Sequence, residues 1–358
     1  MLGKRRRAAI LCEGQFRVLD AKTAVGLLRY RNDEVVAVID SQQAGRTAEQ
    51  CVGVGGSIPV VAHVAGAAAL GADTLVVGVA PVGGDLSAPI RAGVADALTR
   101  GWDVVAGLHV FLADDPELAA LARRSGASIH DVRRVQETHV VASRRAGATS
   151  ACVVLTVGSD CNTGKMTASL ELVNALEARG VSCAFVATGQ TGIMIADHGI
   201  AVDRLISDFA AGAVETLVLE AARDHEVVVV EGQGSLLHPG YSGVTLSLLH
   251  GACPRALVLC HQPTRRSIRH GEIPIPPLRE VADAYERAAA WVSPARVVGL
   301  ALNTFDLTES EARAAVAQAA RDSGLPATDP VRFGAEALAE AVLRVARPAQ
   351  GRTHAARS

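Results

Sequence analysis

Residues 151–170 read ACVVLTVGSDCNTGKMTASL. The run 153–157 is short, apolar and rich in β-branched residues, as in a strand buried on both faces. It stops at Gly158, and a turn of Ser159, Asp160, Cys161, Asn162 and Thr163 leads to Gly164, Lys165, Met166 and Thr167. A helical pattern follows over 168–178. Strand, glycine-bounded turn, Gly-Lys and helix make a phosphate cradle: turn amides and the positive helix N-terminus face an anion. Lys165 reaches over its phosphates.

The spacing departs from the common phosphate-loop pattern, which has four residues between its glycines and Ser or Thr directly after lysine. Here five residues separate Gly158 from Gly164, Met166 follows the lysine, and Thr167 comes one later. The whole stretch from Gly158 to Thr167 is the expected contact surface for a phosphate-bearing cofactor.

Working outward, the valine run 227–230 reads as a central strand and ends in Glu231-Gly232-Gln233-Gly234-Ser235. A carboxylate at such a tip suits a magnesium ion or a general base, and Gly232, Gln233 and Gly234 offer backbone to the cofactor. A strand over 182–187 leads into Thr188-Gly189-Gln190-Thr191-Gly192, so Gly189, Gln190 and Thr191 are candidates for substrate contact. A strand over 256–259 precedes His261 and the basic pair Arg265-Arg266, and one over 297–302 ends at Asn303. Asn303 can meet an adenine edge or cap a turn. The histidines of this half show no zinc-ligand spacing.

Upstream, strands expected over 8–11, 35–40, 58–61, 74–79, 103–107 and 127–132 alternate with helical patterns, which implies a parallel, doubly wound sheet. No Gly-x-Gly-x-x-Gly follows its first strand. Glycine-rich 78–84 and the stretch 107–109 are its most informative loops. Residues 133–150 lack an apolar period and read as a linker. The expected organisation is a Rossmann-like α/β domain over 1–147, a P-loop α/β domain over 148–348 and a disordered tail over 349–358.

The 358 residues are 49% hydrophobic but only 3% aromatic, so the core is built from Ala, Val and Leu. A net charge of -2 points to no nucleic-acid or membrane partner. Seven cysteines without a Cys-x-x-Cys pair read as reduced thiols of a cytoplasmic protein. The basic start is followed by too short an apolar run for a secretory signal. Such α/β proteins are often symmetric homo-oligomers.

Taken together, the second half resembles dethiobiotin synthetase and its relatives, which share a loop with five residues between the glycines. Their Val-Glu-Gly strand end is similar to Val230-Glu231-Gly232, and their Asn-bearing adenine strand is similar to 299–303. Met166 replaces their threonine after lysine, so a Mg²⁺ hydroxyl would come from Thr167. Those proteins lack the first 147 residues. A likeness over nearly the whole chain, carried by Gly-Lys-Met-Thr and Glu-Gly-Gln-Gly-Ser, is to the bacterial family of two-domain P-loop proteins that includes D-glutamate N-acetyltransferase. That resemblance implies acetyl-CoA as donor and an acidic D-amino acid as small-molecule acceptor.

Coenzyme A carries an adenosine 3′-phosphate and a 5′-diphosphate, so a phosphate loop can hold it without hydrolysis. The expected catalytic groups are Lys165 over the phosphates and Glu231 as base, with His198 or His238 next in line. Arg265, Arg266 or Arg269 can pair with an acidic substrate's carboxylate. Two other readings stand beside acyl transfer. One is ATP–Mg²⁺ chemistry, with Thr167 and Glu231 holding the metal. The other is a non-enzymatic nucleotide sensor.

Overall fold

The computed structural model describes residues 6–18, 20–79, 86–135, 138–269 and 271–346. The tail 349–358 and most of the glycine-rich stretch 78–84 lie outside them. Two compact units divide the chain. One comprises 1–136 together with 189–204, the other 137–188 together with 205–358.

The first unit holds six parallel strands: β1 (Ala8–Leu11), β2 (Val35–Ile39), β3 (Val60–Val61), β4 (Thr74–Val77), β5 (Asp103–Ala106) and β6 (Ile129–Asp131). Their order β3-β2-β1-β4-β5-β6 is that of a Rossmann-like sheet. β1 and β4 are buried along their whole length, as continuous apolar runs require when helices cover both faces.

The second unit repeats the principle with β7 (Cys152–Gly158), β8 (Cys183–Val186), β9 (Val227–Val230), β10 (Ala256–His261), β11 (Arg296–Leu302) and β12 (Ala327–Thr328), ordered β12-β11-β10-β7-β9-β8 and again parallel throughout. β7 sits between β9 and β10, with Gly158 level with Cys260. Its core joins Val154, Val229 and Val258 to Leu172 and Leu176 of the helix Lys165–Glu177 and to Leu338 and Val342 of the helix Glu336–Ala346. Val, Leu and Ala supply almost all of this packing.

Two helices fall where the sequence reading assigned no element. Gln190–Ala196 is helical beside the glycines Gly189 and Gly192, and Ser242–Ala252 is helical in a stretch with no amphipathic period. Within 133–150, Arg133 is buried and Ser143 and Arg145 are tied to the buried Glu215. Most other described residues of that stretch are exposed, and the division between the two units falls within it, after residue 136. All seven cysteines are free. Among the described residues no helix is long and apolar enough to cross a membrane.

Candidate functional site: the phosphate loop and its neighbouring strand tips

Parallel strands bring their C-terminal ends to one edge, where open α/β sheets bind ligands. In the second unit that edge gathers Gly158 at the end of β7, Glu231 after β9, His261 at the end of β10 and Asn303 after β11.

The loop after β7 is closed tightly over its own strand end. A Cβ on Gly158 would lie 2.7 Å from Thr163 Oγ1, 2.8 Å from the Asp160 carbonyl oxygen and 2.9 Å from Lys165 Nζ. Asn162 and Gly164 take positive φ of 54° and 94° to turn the chain into the helix. The Asp160 carbonyl accepts from Thr163 Oγ1 at 3.2 Å and from Lys165 Nζ at 2.8 Å. Lys165 is buried, and burial pushes its pKa below the usual 10.5 although Cys260, Cys161 and Asp160 pull the other way. An ammonium has three donors. Lys165 Nζ makes one hydrogen bond and no ion pair among the described residues. A buried cation so poorly satisfied is built for an anion.

The Asp160 side chain does not face a ligand. Fully buried, it accepts at Oδ1 from the Cys161 amide (2.7 Å) and at Oδ2 from Arg265 Nη1 (2.8 Å) and the Arg269 amide (2.7 Å). Burial works to raise its pKa, but those two amides and the Arg265 guanidinium outweigh it and hold the carboxyl below 3.8. Arg265 also donates to the Cys161 carbonyl and to Gln262, so this expected substrate arginine is taken up by the loop itself. Arg266 is exposed, and its guanidinium has no partner among the described residues.

On the β9 side, Glu231 is buried and accepts from the Thr188 amide at 3.0 Å, while its carbonyl accepts from Thr188 Oγ1 at 2.6 Å. Gln233 donates to the same hydroxyl at 3.2 Å. Gly232 donates its amide to Thr156 Oγ1, and a Cβ there would lie 1.7 Å from the Thr156 carbonyl oxygen and 3.1 Å from Lys165 Cδ. Gly234, with φ of 64°, also packs closely, a Cβ there lying 2.5 Å from the Tyr241 carbonyl oxygen. Only glycine lets this strand tip lie flat against β7 and the lysine stem. Thr167 and Met166 are half-buried, and the Thr167 hydroxyl makes no hydrogen bond among the described residues. Asn303 lies against Gly164, its Nδ2 3.7 Å from where a Cβ would stand, and its amide donates to the His261 carbonyl.

The histidines separate sharply. His238 accepts at Nδ1 from the Gly240 amide (3.1 Å), which leaves Nε2 protonated and donating to the Arg269 carbonyl (3.0 Å). Neither nitrogen keeps a lone pair for a proton, so His238 is not a base in this arrangement. His198 is exposed and belongs to the first unit, as do Gly189, Gln190 and Thr191. There Gln190 accepts from the buried Arg133 (2.7 Å) and Thr191 bonds Thr23 (2.8 Å). His261, not singled out from sequence, bonds Ser159 Oγ through Nδ1 at 2.8 Å. Burial first, then Arg265 and Arg266, push its pKa down to about 4, so it is neutral at physiological pH. The signal for it was positional: like Glu231, it sits at the end of an apolar run.

Asp160, Cys161 and His238 bring three potential metal donors within 4.8 Å of one another. Their chemistry does not fit a cation as they stand. Both Asp160 oxygens and both His238 nitrogens are engaged, and Arg265 already supplies a positive charge there.

Comparison with known proteins fits this architecture. Residues 41–135 match the model of the Rossmann-like domain DUF1611_N, and 140–339 that of the P-loop domain DUF1611_C, both described as domains of unknown function. A protein of Tritonibacter scottomollicae named D-glutamate N-acetyltransferase is 39% identical over 92% of this chain and 96% of its own. One of Pseudoalteromonas sp with the same name is 35% identical over 76% and 82%. The crystal structure of a DUF1611 family protein from Anabaena variabilis superposes with a TM-score of 0.91 at 41% identity, covering 95% of this chain and 99% of that one. The chain therefore belongs to the DUF1611 family, with a Rossmann-like and a P-loop domain of the kinds that define it.

Proposed function

We propose that this protein is an N-acetyltransferase that moves an acetyl group from acetyl-CoA to the amine of an acidic D-amino acid such as D-glutamate. One observation carries the reading of the site: a buried Lys165 ammonium with a single acceptor among the described residues, the carbonyl of Asp160 in the phosphate loop. That arrangement suits the diphosphate of coenzyme A. The names of the relatives support acetyl transfer and this acceptor.

The chemistry balances without a metal. The amine gives a proton to a base and attacks the thioester carbonyl, a C–N bond forms, the C–S bond breaks, and the coenzyme A thiolate takes up a proton. Glu231, a carboxylate at the β9 tip, is the base we assign, a role typically worth about 10²–10⁴-fold. In the ATP–Mg²⁺ reading, Thr167 and Glu231 would hold the metal and nucleotide phosphates would occupy the loop.

A thermal-shift panel with coenzyme A, acetyl-CoA and ATP–Mg²⁺, followed by mass detection of N-acetyl-D-glutamate, separates the readings. A ligand at a hundred times its dissociation constant stabilises by about 2.7 kcal/mol. Stabilisation by acetyl-CoA together with product formation is expected. Stabilisation by ATP–Mg²⁺ alone would overturn the assignment.

A further inference from the structure

Two buried polar side chains of the second unit converge on one backbone residue. Asp160 Oδ2 accepts the Arg269 amide at 2.7 Å, and His238 Nε2 donates to the Arg269 carbonyl at 3.0 Å. Each is itself braced, Asp160 by the Cys161 amide and Arg265, His238 by the Gly240 amide and by stacking on Tyr241 at 4.3 Å. The same Asp160 lends its carbonyl to Lys165. Arg269 is therefore held at both peptide ends, its amide by the phosphate loop and its carbonyl by His238. Its guanidinium, half-buried, makes no hydrogen bond, ion pair or ring contact among the described residues.

We infer that Arg269 is the oxyanion-recognising residue of this site, and that Asp160 and His238 are positioning residues that hold its backbone. The inference rests on the acetyltransferase reading for its choice of anions: a carboxylate of the acceptor or a phosphate of the acyl donor. A planar guanidinium takes either in a two-point grip. It also gives His238 a task compatible with its fixed tautomer.

The test uses the full chain. Arg269→Gln and Arg269→Lys are assayed for KM toward D-glutamate and toward acetyl-CoA. Binding of D-glutamate, glutarate and inorganic pyrophosphate is measured by calorimetry, which needs no turnover. Losing a charged hydrogen bond weakens binding by about 10- to 100-fold. A rise confined to D-glutamate and glutarate assigns the carboxylate, and one confined to acetyl-CoA and pyrophosphate assigns the phosphate. Arg269→Lys should fall between wild type and Arg269→Gln. Unchanged constants in Arg269→Gln, or wild-type protein that takes up none of the three anions, would overturn the inference. Anion binding that depends on Arg269 without acetyl transfer would fault the activity alone. His238→Gln retains a donor to the Arg269 carbonyl and should stay near wild type, while His238→Ala should shift the same constant as Arg269→Gln. Equal loss of kcat in both His238 variants would mean direct chemistry at His238 and would remove its positioning role.

Discussion

Replacing Gly232 by alanine tests how closely β9 and the phosphate loop are fitted. The added Cβ would stand 1.7 Å from the Thr156 carbonyl oxygen and 2.8 Å from its carbon, both backbone atoms of β7. Neither can swing aside as a side-chain tip can, so the strand ends must part by more than an ångström. That breaks the Gly232 amide bond to Thr156 Oγ1 and disturbs the Thr156–Ser169 hydroxyl pair beneath it. Overpacking costs about 1–3 kcal/mol and a lost hydrogen bond about 1, so the variant should lose roughly 2–4 kcal/mol. At 2–4 °C per kcal/mol for a domain of this size, Tm should fall by roughly 5–15 °C. The Cβ also lies 3.1 Å from Lys165 Cδ, so coenzyme A affinity should fall in the variant that still folds. Thermal and urea unfolding with calorimetric titration measure both effects. A Tm within about 2 °C of wild type would refute the packing argument, and a large Tm loss with unaltered affinity would refute the link to Lys165.

Lys165→Met should leave the ligand-free protein as stable or slightly more stable, because burial penalises the charge it removes, yet abolish coenzyme A binding. A destabilised variant in urea titration would contradict this. In wild type the anion favours the charged lysine, so affinity should fall as pH rises through the lowered Lys165 pKa, below the usual 10.5. His261 runs from 6.5 unfolded to about 4 folded. Its contribution is fully present above about 6.5 and is lost as pH falls toward 4, by up to roughly 3 kcal/mol. His261→Asn should flatten the pH–stability curve over that window; a curve of unchanged slope would count against the burial of a neutral ring.

The loop could be read from sequence because its meaning is local. Gly158, Gly164 and Lys165 act within one turn, and the valines of β7 and β9 announce buried parallel strands. The work of Asp160 could not, since its partners Arg265 and Arg269 lie 105 and 109 positions away. His238 looked like a base because sequence does not reveal the Gly240 amide and the Arg269 carbonyl that fix its tautomer. Helix Ser242–Ala252 escaped for a different reason. Its Ser, Gly, Val and Thr are indifferent helix formers, and it is imposed by packing: a Cβ on Gly251 would come 2.3 Å from the Ala211 carbonyl of the helix Ser207–Ala221. Helix Gln190–Ala196 was hidden by Gly189 and Gly192, whose turn signal was overridden by burial of the helix in the first unit.

The chain's path between its units bears on biosynthesis. Ile193, Met194 and Ile195 are buried and belong to the first unit, though they emerge from the ribosome only after β7 and β8 of the second. The N-terminal unit is therefore incomplete until residue 204 has been translated. A nascent chain or a fragment ending at residue 136 leaves the surface meant for those side chains uncovered. Neither unit is encoded by one uninterrupted gene segment, so a cut at any single position leaves at least one of them divided.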